Sequence, residues 1–248
     1  MIVVIGAAMA VAACSATGTV AAPDEAEAVD SVQLQFRPVI DAVPIQSPAG
    51  PAPTEATATS LDQVWEKVGD DAAELAPTLT TVPQSDTDLA VLAPFAELAA
   101  AEVALLPAQV RLYVPTIGCD QLLPGAEYFE PTVETVACDI EDGTPVEKLH
   151  LGPTELDGTH VSSAEVAPSQ AEPNHHVVTV YFTDEGASSF ADLTTEYLNQ
   201  RVAVVLATEV VMAPMIMSTI NNGIVEISGT FSKDEAVALA RVINAATG

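Results

Sequence analysis

From His176 to Gly248 the apolar and polar positions alternate in a sequence of clear periods. Val178, Val180 and Phe182 alternate with Thr179 and Tyr181. That period of two predicts a half-buried strand. Thr183 or Asp184 is placed to cap a following helix. In that helix Ala187, Phe190, Leu193, Thr194, Tyr197 and Leu198 share one face, and Ser188, Asp192, Thr195 and Glu196 the other. Val202 to Leu206 is an unbroken apolar run, the pattern of a strand covered on both faces. Val210 to Met212 resumes after Thr208-Glu209, which predicts a tight turn there. Asn221-Asn222-Gly223 is a further turn signal. Val225 and Ile227 then alternate with Glu226 and Ser228. Ser232-Lys233-Asp234-Glu235 has the spacing of a capping box, and Ala236, Leu239, Ala240 and Ile243 form the inner stripe of a last helix.

Upstream the pattern is weaker. Val32, Leu34 and Phe36 predict one face of a strand over 31–40. Pro44, Pro48, Pro51 and Pro53 mark a loop or linker. Asp62 to Leu75 predicts a short helix around Val64, Trp65 and Val68. Leu89 to Leu106 has helical composition, interrupted at Pro94. Residues 15–30, rich in Ala, Thr, Asp and Glu, read as a flexible acidic tether. Met1 to Ala13 is apolar and ends in Val11-Ala12-Ala13-Cys14. This resembles a bacterial lipobox, with Cys14 the lipidated residue. The competing reading is an uncleaved helix reaching Val20–Ala22. Either exports the rest of the chain.

The resemblance to a known family lies in FTDEGASSFADLT, RVAVVLATEVVMAP, NNGIVEISGTFS and KDEAVALARVIN. These blocks resemble the head subdomain of the first extracytoplasmic domain of SecD, the protein-export membrane component. KLHLGPTELDGTHVSSAEV and VQLQFRPVI extend the likeness upstream. Thr208-Glu209 stands where the family usually has Asp-Gly, and Gln200 where it usually has Gly. The resemblance implies an α+β fold, with a mixed β-sheet and helices packed on one face, preceded by the Ala/Pro-rich tether. Together with the upstream patterns it divides the chain into a signal segment at 1–14, the tether at 15–30, a strand plus a Pro/Ala-rich, partly disordered or helical region at 31–110, and a head-like domain at 111–248. It also implies a non-enzymatic module outside the cell membrane whose partners are Sec translocon components or exported polypeptides. Two other readings stand beside it: an envelope lipoprotein with no export role, and a truncated SecD.

Composition narrows the partners. Seven basic residues against 35 acidic ones give a formal charge of −28. Such a surface repels nucleic acid and anionic lipid; it reads either as a solvated surface with a disordered tether or as a surface that attracts basic peptide. An apolar content of 49% over 248 residues is enough to bury a core. Cys119 and Cys138 predict a disulfide in an exported chain. Closing that loop is worth roughly 3 kcal/mol in a chain-entropy picture. His150 and His160 are isolated, and His175-His176 would point to opposite faces of a strand, so no metal is expected. No phosphate loop or nucleophile elbow is present, and no catalytic residue or cofactor is predicted. Asp184-Glu185 and Asp234-Glu235 sit at predicted helix starts, where acids offset the helix dipole. Val211, Met212, Met215 and Met217 crowd around Pro214 and form a candidate polypeptide-binding patch. The competing reading of that patch is core filling.

Overall fold

The computed structural model describes residues 34–45, 52–123, 128–141, 143–170, 175–245 and 247. In chain order the strands and α-helices are β1 (Leu34–Pro44), α1 (Leu61–Val68), α2 (Asp70–Leu75), α3 (Asp86–Val91), α4 (Ala100–Val103), α5 (Ala108–Tyr113), α6 (Cys119–Leu122), β2 (Thr135–Glu141), β3 (Thr144–Leu151), β4 (Leu156–Asp157), β5 (Val161–Pro168), β6 (His176–Phe182), α7 (Asp184–Glu196), β7 (Val202–Leu206), β8 (Glu209–Met212), β9 (Ile224–Phe231) and α8 (Lys233–Ala245). The class is α+β, and every strand pairing among the described residues is antiparallel.

One sheet has the order β2-β3-β1-β7-β8, with β4 also on β1. Leu34–Pro38 of β1 pair with Leu206–Val202, and Val39–Pro44 pair with β3 on the other side. Within the second half a bulge at Ile40 interrupts the register with β3, and that side chain is 52% exposed. β2 and β8, at the two ends of this order, lie beside each other, so the sheet rolls up. Val39 and Ala42 of β1, Ala137 of β2, Leu149 and Leu151 of β3, Ala203 and Val205 of β7 and Val210 of β8 fill the roll. Alanines fit such a narrow interior. The continuous apolar run at β7 now has its explanation: Ala203 and Val205 face the roll, while Val202 and Val204 face a second core.

That second core lies between the rolled sheet, the three-stranded sheet β5-β6-β9, and α7 and α8. Its centre is an aromatic cluster. The Phe182 and Phe190 rings stack at 4.5 Å, and each is 5.6 Å from Phe36 of β1. Thr183 caps α7 by accepting from the Gly186 amide at 3.0 Å. At Gly186 a Cβ would stand 2.1 Å from the His160 carbonyl oxygen, so only glycine allows this approach. The capping box at α8 is formed: Glu235 accepts from the Ser232 amide at 2.8 Å, and Ser232 from the Glu235 amide at 3.3 Å. Two sequence expectations shift. α7 ends at Glu196 and Asn199 adopts φ 62°, so Leu198 leaves the helix and is 43% exposed instead of sharing the buried face. The β7–β8 turn falls on Ala207-Thr208, with Ala207 at φ 56° and Glu209 already paired with Leu206.

Residues 52–122 form a layer of short helices with a core of their own, including Val64, Phe95, Val103, Leu112 and Ile117. Gly69, at φ 88°, breaks α1 from α2. Pro94 opens a 3-10 turn over Ala93–Glu97. The layer docks on β2 and β3, and a disulfide joins Cys119 of α6 to Cys138 of β2 with Cα atoms 5.9 Å apart. A boundary between residues 110 and 111 therefore cuts through α5, whose Val110 and Leu112 both pack in the helical layer. The helical unit runs on through Leu122 because α5 and α6 carry part of its core.

One buried carboxylate knits this layer together. Glu102 is fully buried and accepts from the amides of Ala99 at 2.8 Å, Ala58 at 2.7 Å and Thr57 at 2.9 Å, and from Lys67 Nζ at 2.7 Å. Burial opposes its ionisation. The Lys67 ammonium and the backbone donors outweigh that and hold the carboxyl down at about 2. Glu102→Ala should therefore cost about 3–5 kcal/mol at neutral pH in urea melts, by orphaning a cation and several amides. The ionised form is stabilised by folding, so its contribution is whole above an unfolded value of about 4.5 and lost as pH falls toward about 2. The deficit of the variant should shrink accordingly in acid.

Candidate functional site

The predicted patch divides when folded. Val211, at 7% exposed, is part of the second core, and Met212 packs partly buried against it. The core-filling reading holds for these two. Met215 and Met217 are 54% and 73% exposed. They flank Ile216, which is 8% exposed, so alternation along this stretch buries one residue and presents the two methionines.

The stretch is held from behind. The Asn199 amide donates to the Ile216 carbonyl at 2.8 Å, and the Ile216 amide donates to the Gln200 carbonyl at 2.8 Å. The Val202 amide donates to the Pro214 carbonyl at 3.1 Å, and Arg201 Nε to the Ala213 carbonyl at 2.8 Å. Thr194 Oγ1 accepts from the Ile220 amide at 3.0 Å. The methionines thus sit on a fixed backbone while their own side chains stay adaptable. The Arg201 guanidinium reaches Glu147 at 2.5 Å and Asp139 at 3.6 Å, bridging the β7–β8 side of the roll to β2 and β3. Burial, then the neighbouring Glu147, pushes the Asp139 carboxyl up.

The other titratable candidates stay apart. His150 pairs with Glu134 at 2.9 Å, and His160 with Asp157 at 3.0 Å. Among the described residues no three His, Cys, Asp or Glu side chains group as a metal site. Cys14 lies outside the described residues. No helix among those described is long and apolar enough to cross a membrane. An open hollow of about 710 Å³, lined by Asp70, Asp71, Asp86, Val91 and Pro94, lies in the helical layer.

The consequential residues that sequence reasoning missed are internal cations. Arg37 is fully buried on β1, where Nε donates to the Gly152 carbonyl at 2.7 Å, Nη1 to Gln35 Oε1 at 3.0 Å, and Nη2 to the Val133 carbonyl. Burial lowers its pKa to about 10, against the pull of Glu130. Lys148 on β3 is 4% exposed, and its ammonium donates to the Arg111 carbonyl at 2.9 Å and the Val114 carbonyl at 2.8 Å. It closes the C-terminal end of α5 and seats the helical layer on the sheet. The available signal was scarcity: with 7 basic residues in the chain, each one inside a strand is a candidate internal partner.

With this geometry in place, the comparison with known proteins is specific. The SecDF, P1 head subdomain model matches residues 135–247. That segment, somewhat less than half of the chain, is similar to the SecDF P1 head subdomain. The protein translocase subunit SecD of Streptomyces coelicolor is 34% identical over 120 residues, covering 46% of this chain and 21% of its own. The SecD of Magnetococcus marinus is 37% identical over 92 residues, covering 37% and 17%. The chain thus spans about a fifth of the length of these relatives. A solved structure of a membrane component SecDF that enhances protein export shares 22% identity, covering 87% of this chain and 63% of that one, at a TM-score of 0.41. SecDF in its super-membrane-facing form gives 20% identity and a TM-score of 0.40, covering 86% and 19%. β1, central in the rolled sheet, lies outside the matched head segment.

Lys148 provides a test of how the helical layer is seated on that head. Burial lowers its amine from 10.5 to about 7. An unfolded lysine takes up its proton below about 10.5, whereas the folded one does so only near 7, so stability falls as pH drops across that window. Between about pH 7.5 and pH 9 the protein should gain roughly 2 kcal/mol in urea melts, and Lys148→Met should flatten that slope. Tyr113 and Tyr197, whose hydroxyls are pushed up to about 12, lose their contribution only at higher pH.

Proposed function

We propose that this chain is a membrane-anchored, extracytoplasmic, non-enzymatic binding module that engages exported polypeptide near the Sec translocon. The observation that carries this reading is the match of residues 135–247 to the SecDF P1 head subdomain. Met215 and Met217, exposed on a backbone fixed by residues 199–202, are the polypeptide-binding patch in this reading. Methionine suits partners of varied sequence because its unbranched, polarizable side chain repacks at little cost. The anchor is the lipid on Cys14 or an N-terminal helix, and the Cys119–Cys138 disulfide fits an oxidising compartment.

A second reading has its own observation. The helical layer, with its acidic hollow, lies outside the head segment and gives the chain a surface that the family match does not cover. In this reading the chain is an envelope interaction module with no export role.

Crosslinking in cells separates the two. A photoreactive residue in place of Met217 should capture exported chains or translocon components. Met215→Ser combined with a photoreactive residue at position 217 should reduce that capture severalfold without shifting the melting temperature, since both side chains are exposed. Capture of neither exported chains nor translocon components would favour the envelope module.

A further inference from the structure

The three-stranded sheet has two edges, and the fold treats them differently. At the β5 edge, Asn244 of α8 acts as a substitute strand. Its Oδ1 accepts from the Ala164 amide at 2.7 Å, and its Nδ2 donates to the Ala164 carbonyl at 2.9 Å. Both backbone groups of Ala164 therefore point away from β6 and are already satisfied. This is how proteins block an edge against pairing.

Among the described residues the β9 edge has no such block. β9 pairs with β6 on one side, and no strand among the described residues pairs with its other side. The Phe182 amide donates to the Gly223 carbonyl at 2.9 Å, and the register continues through Val180 opposite Val225 and Val178 opposite Ile227. In an antiparallel ladder these alternate positions exchange hydrogen bonds with the partner. Val225 and Ile227 therefore face β6, and the backbone groups of Ile224, Glu226 and Ser228 face outward. The Ile224 amide is taken by Asn222 Oδ1 at 3.3 Å. Among the described residues no strand meets the outward groups of Glu226 or the outward amide of Ser228, the last residue before the register shifts toward Phe231. Their side chains, with that of Ile224, are exposed on one face, while Ile227 on the other face is buried.

Resting on the export reading above, we infer that the β9 edge takes an extended, basic segment of exported polypeptide as an added antiparallel strand. Main-chain bonds at Glu226 and Ser228 supply sequence-tolerant affinity, Glu226 selects a basic residue, and Ile224 an apolar one. Charge also decides against the other obvious occupant, a second copy of this chain. Pairing Ile224–Ser228 with its own copy in antiparallel register sets Glu226 opposite Glu226. Like charges directly opposite destabilise a strand pair, and each chain carries −28 besides. A basic segment meets neither penalty.

The test uses the full chain and a short labelled peptide of alternating lysine and valine. Binding is read by fluorescence anisotropy, and the site by hydrogen exchange at the Glu226 and Ser228 amides. The expected result is binding that weakens with salt and protects those two amides. Glu226→Pro removes an outward N–H without touching the ladder to β6, the one place a strand tolerates proline. It should weaken binding about tenfold or more. Glu226→Lys keeps the backbone donor and should transfer preference to a glutamate–valine peptide, so the inference stays testable even if the proline variant misfolds. Methylating alternate peptide nitrogens should abolish binding. Unchanged affinity in a folded Glu226→Pro protein, or loss only on Met215→Ser and Met217→Ser, overturns the inference. So does protection of the two amides that depends on protein concentration rather than on peptide. If the peptide fails to bind while Met217 still captures exported chains in cells, strand addition is wrong and the export reading stands. If both fail, the export reading falls as well.

Discussion

The pairing of β1 on both of its sides is the constraint on which the rest depends. Its first half lies against β7 and its second half against β3, so it joins hairpins that are far apart in sequence. The same strand sends Leu34 and Phe36 into the core shared with the three-stranded sheet, and Val39 and Ala42 into the roll. Removing it would open both cores at once. The change of partner falls at Pro38–Val39, and the bulge at Ile40 just beyond it bends the strand and shifts its register against β3. Pairing Leu34 with Leu206 closes a very long loop, and such closure comes before the contacts that reward it. Burial of Arg37 fits this position. Its guanidinium, itself fully buried, satisfies carbonyls of the 130–133 and 152 segments that wrap β1.

The helical layer depends on β1 and its neighbours in turn. Three contacts of different chemistry seat it: Tyr113 Oη donating to Asp41, Lys148 donating to the Arg111 and Val114 carbonyls, and the Cys119–Cys138 bond. Its helices run from 4 to 8 residues, well below the length at which a helix is stable alone. Packing and the Glu102 hub must therefore hold them, and each gains its structure from the others.

That difference explains what was legible in the sequence. Long, strongly periodic elements read directly: β6, the inner stripes of α7 and α8, the unbroken run of β7 and the Ser232–Glu235 box are local patterns with local causes. The helical layer read only in part: Asp62–Leu75 and Leu89–Leu106 showed helical composition, but its helices are too short to show a clear period and are punctuated by Gly69 and Pro94. The roll did not read. The small side chains of Ala42, Ala137 and Ala203 carry little hydrophobic signal, yet they are what a narrow interior requires. The methionine patch was half legible. Composition singles out Met212, Met215 and Met217 equally, and only the turn at Asn199 and the bonds from residues 199–202 decide which face solvent. Edge chemistry was least legible of all, since Asn244 and Ala164 are 80 residues apart and meet only when folded.

The strong acidity of the surface follows from how the few cations are used, as well as from their small number. Of the 7 basic residues, Arg37, Lys67, Lys148 and Arg201 are committed to internal carbonyls and carboxylates. Burial also lowers the pKa of Arg111. Only Lys233 and Arg241, both on α8, stand free at the exposed surface. Four of the seven basic residues are therefore spent in holding the helical layer and the roll, and the acidic residues are left to set the outer field. Such a field draws basic partners and weakens as salt rises toward physiological levels, where charges act over about 8 Å. It also keeps copies of the chain apart, which matters for a protein with an unblocked strand edge. One allocation of charge thus serves cohesion inside and selectivity outside. It also explains why exchanging an internal cation should alter stability first, whereas exchanging an outward acid such as Glu226 should alter partner choice first.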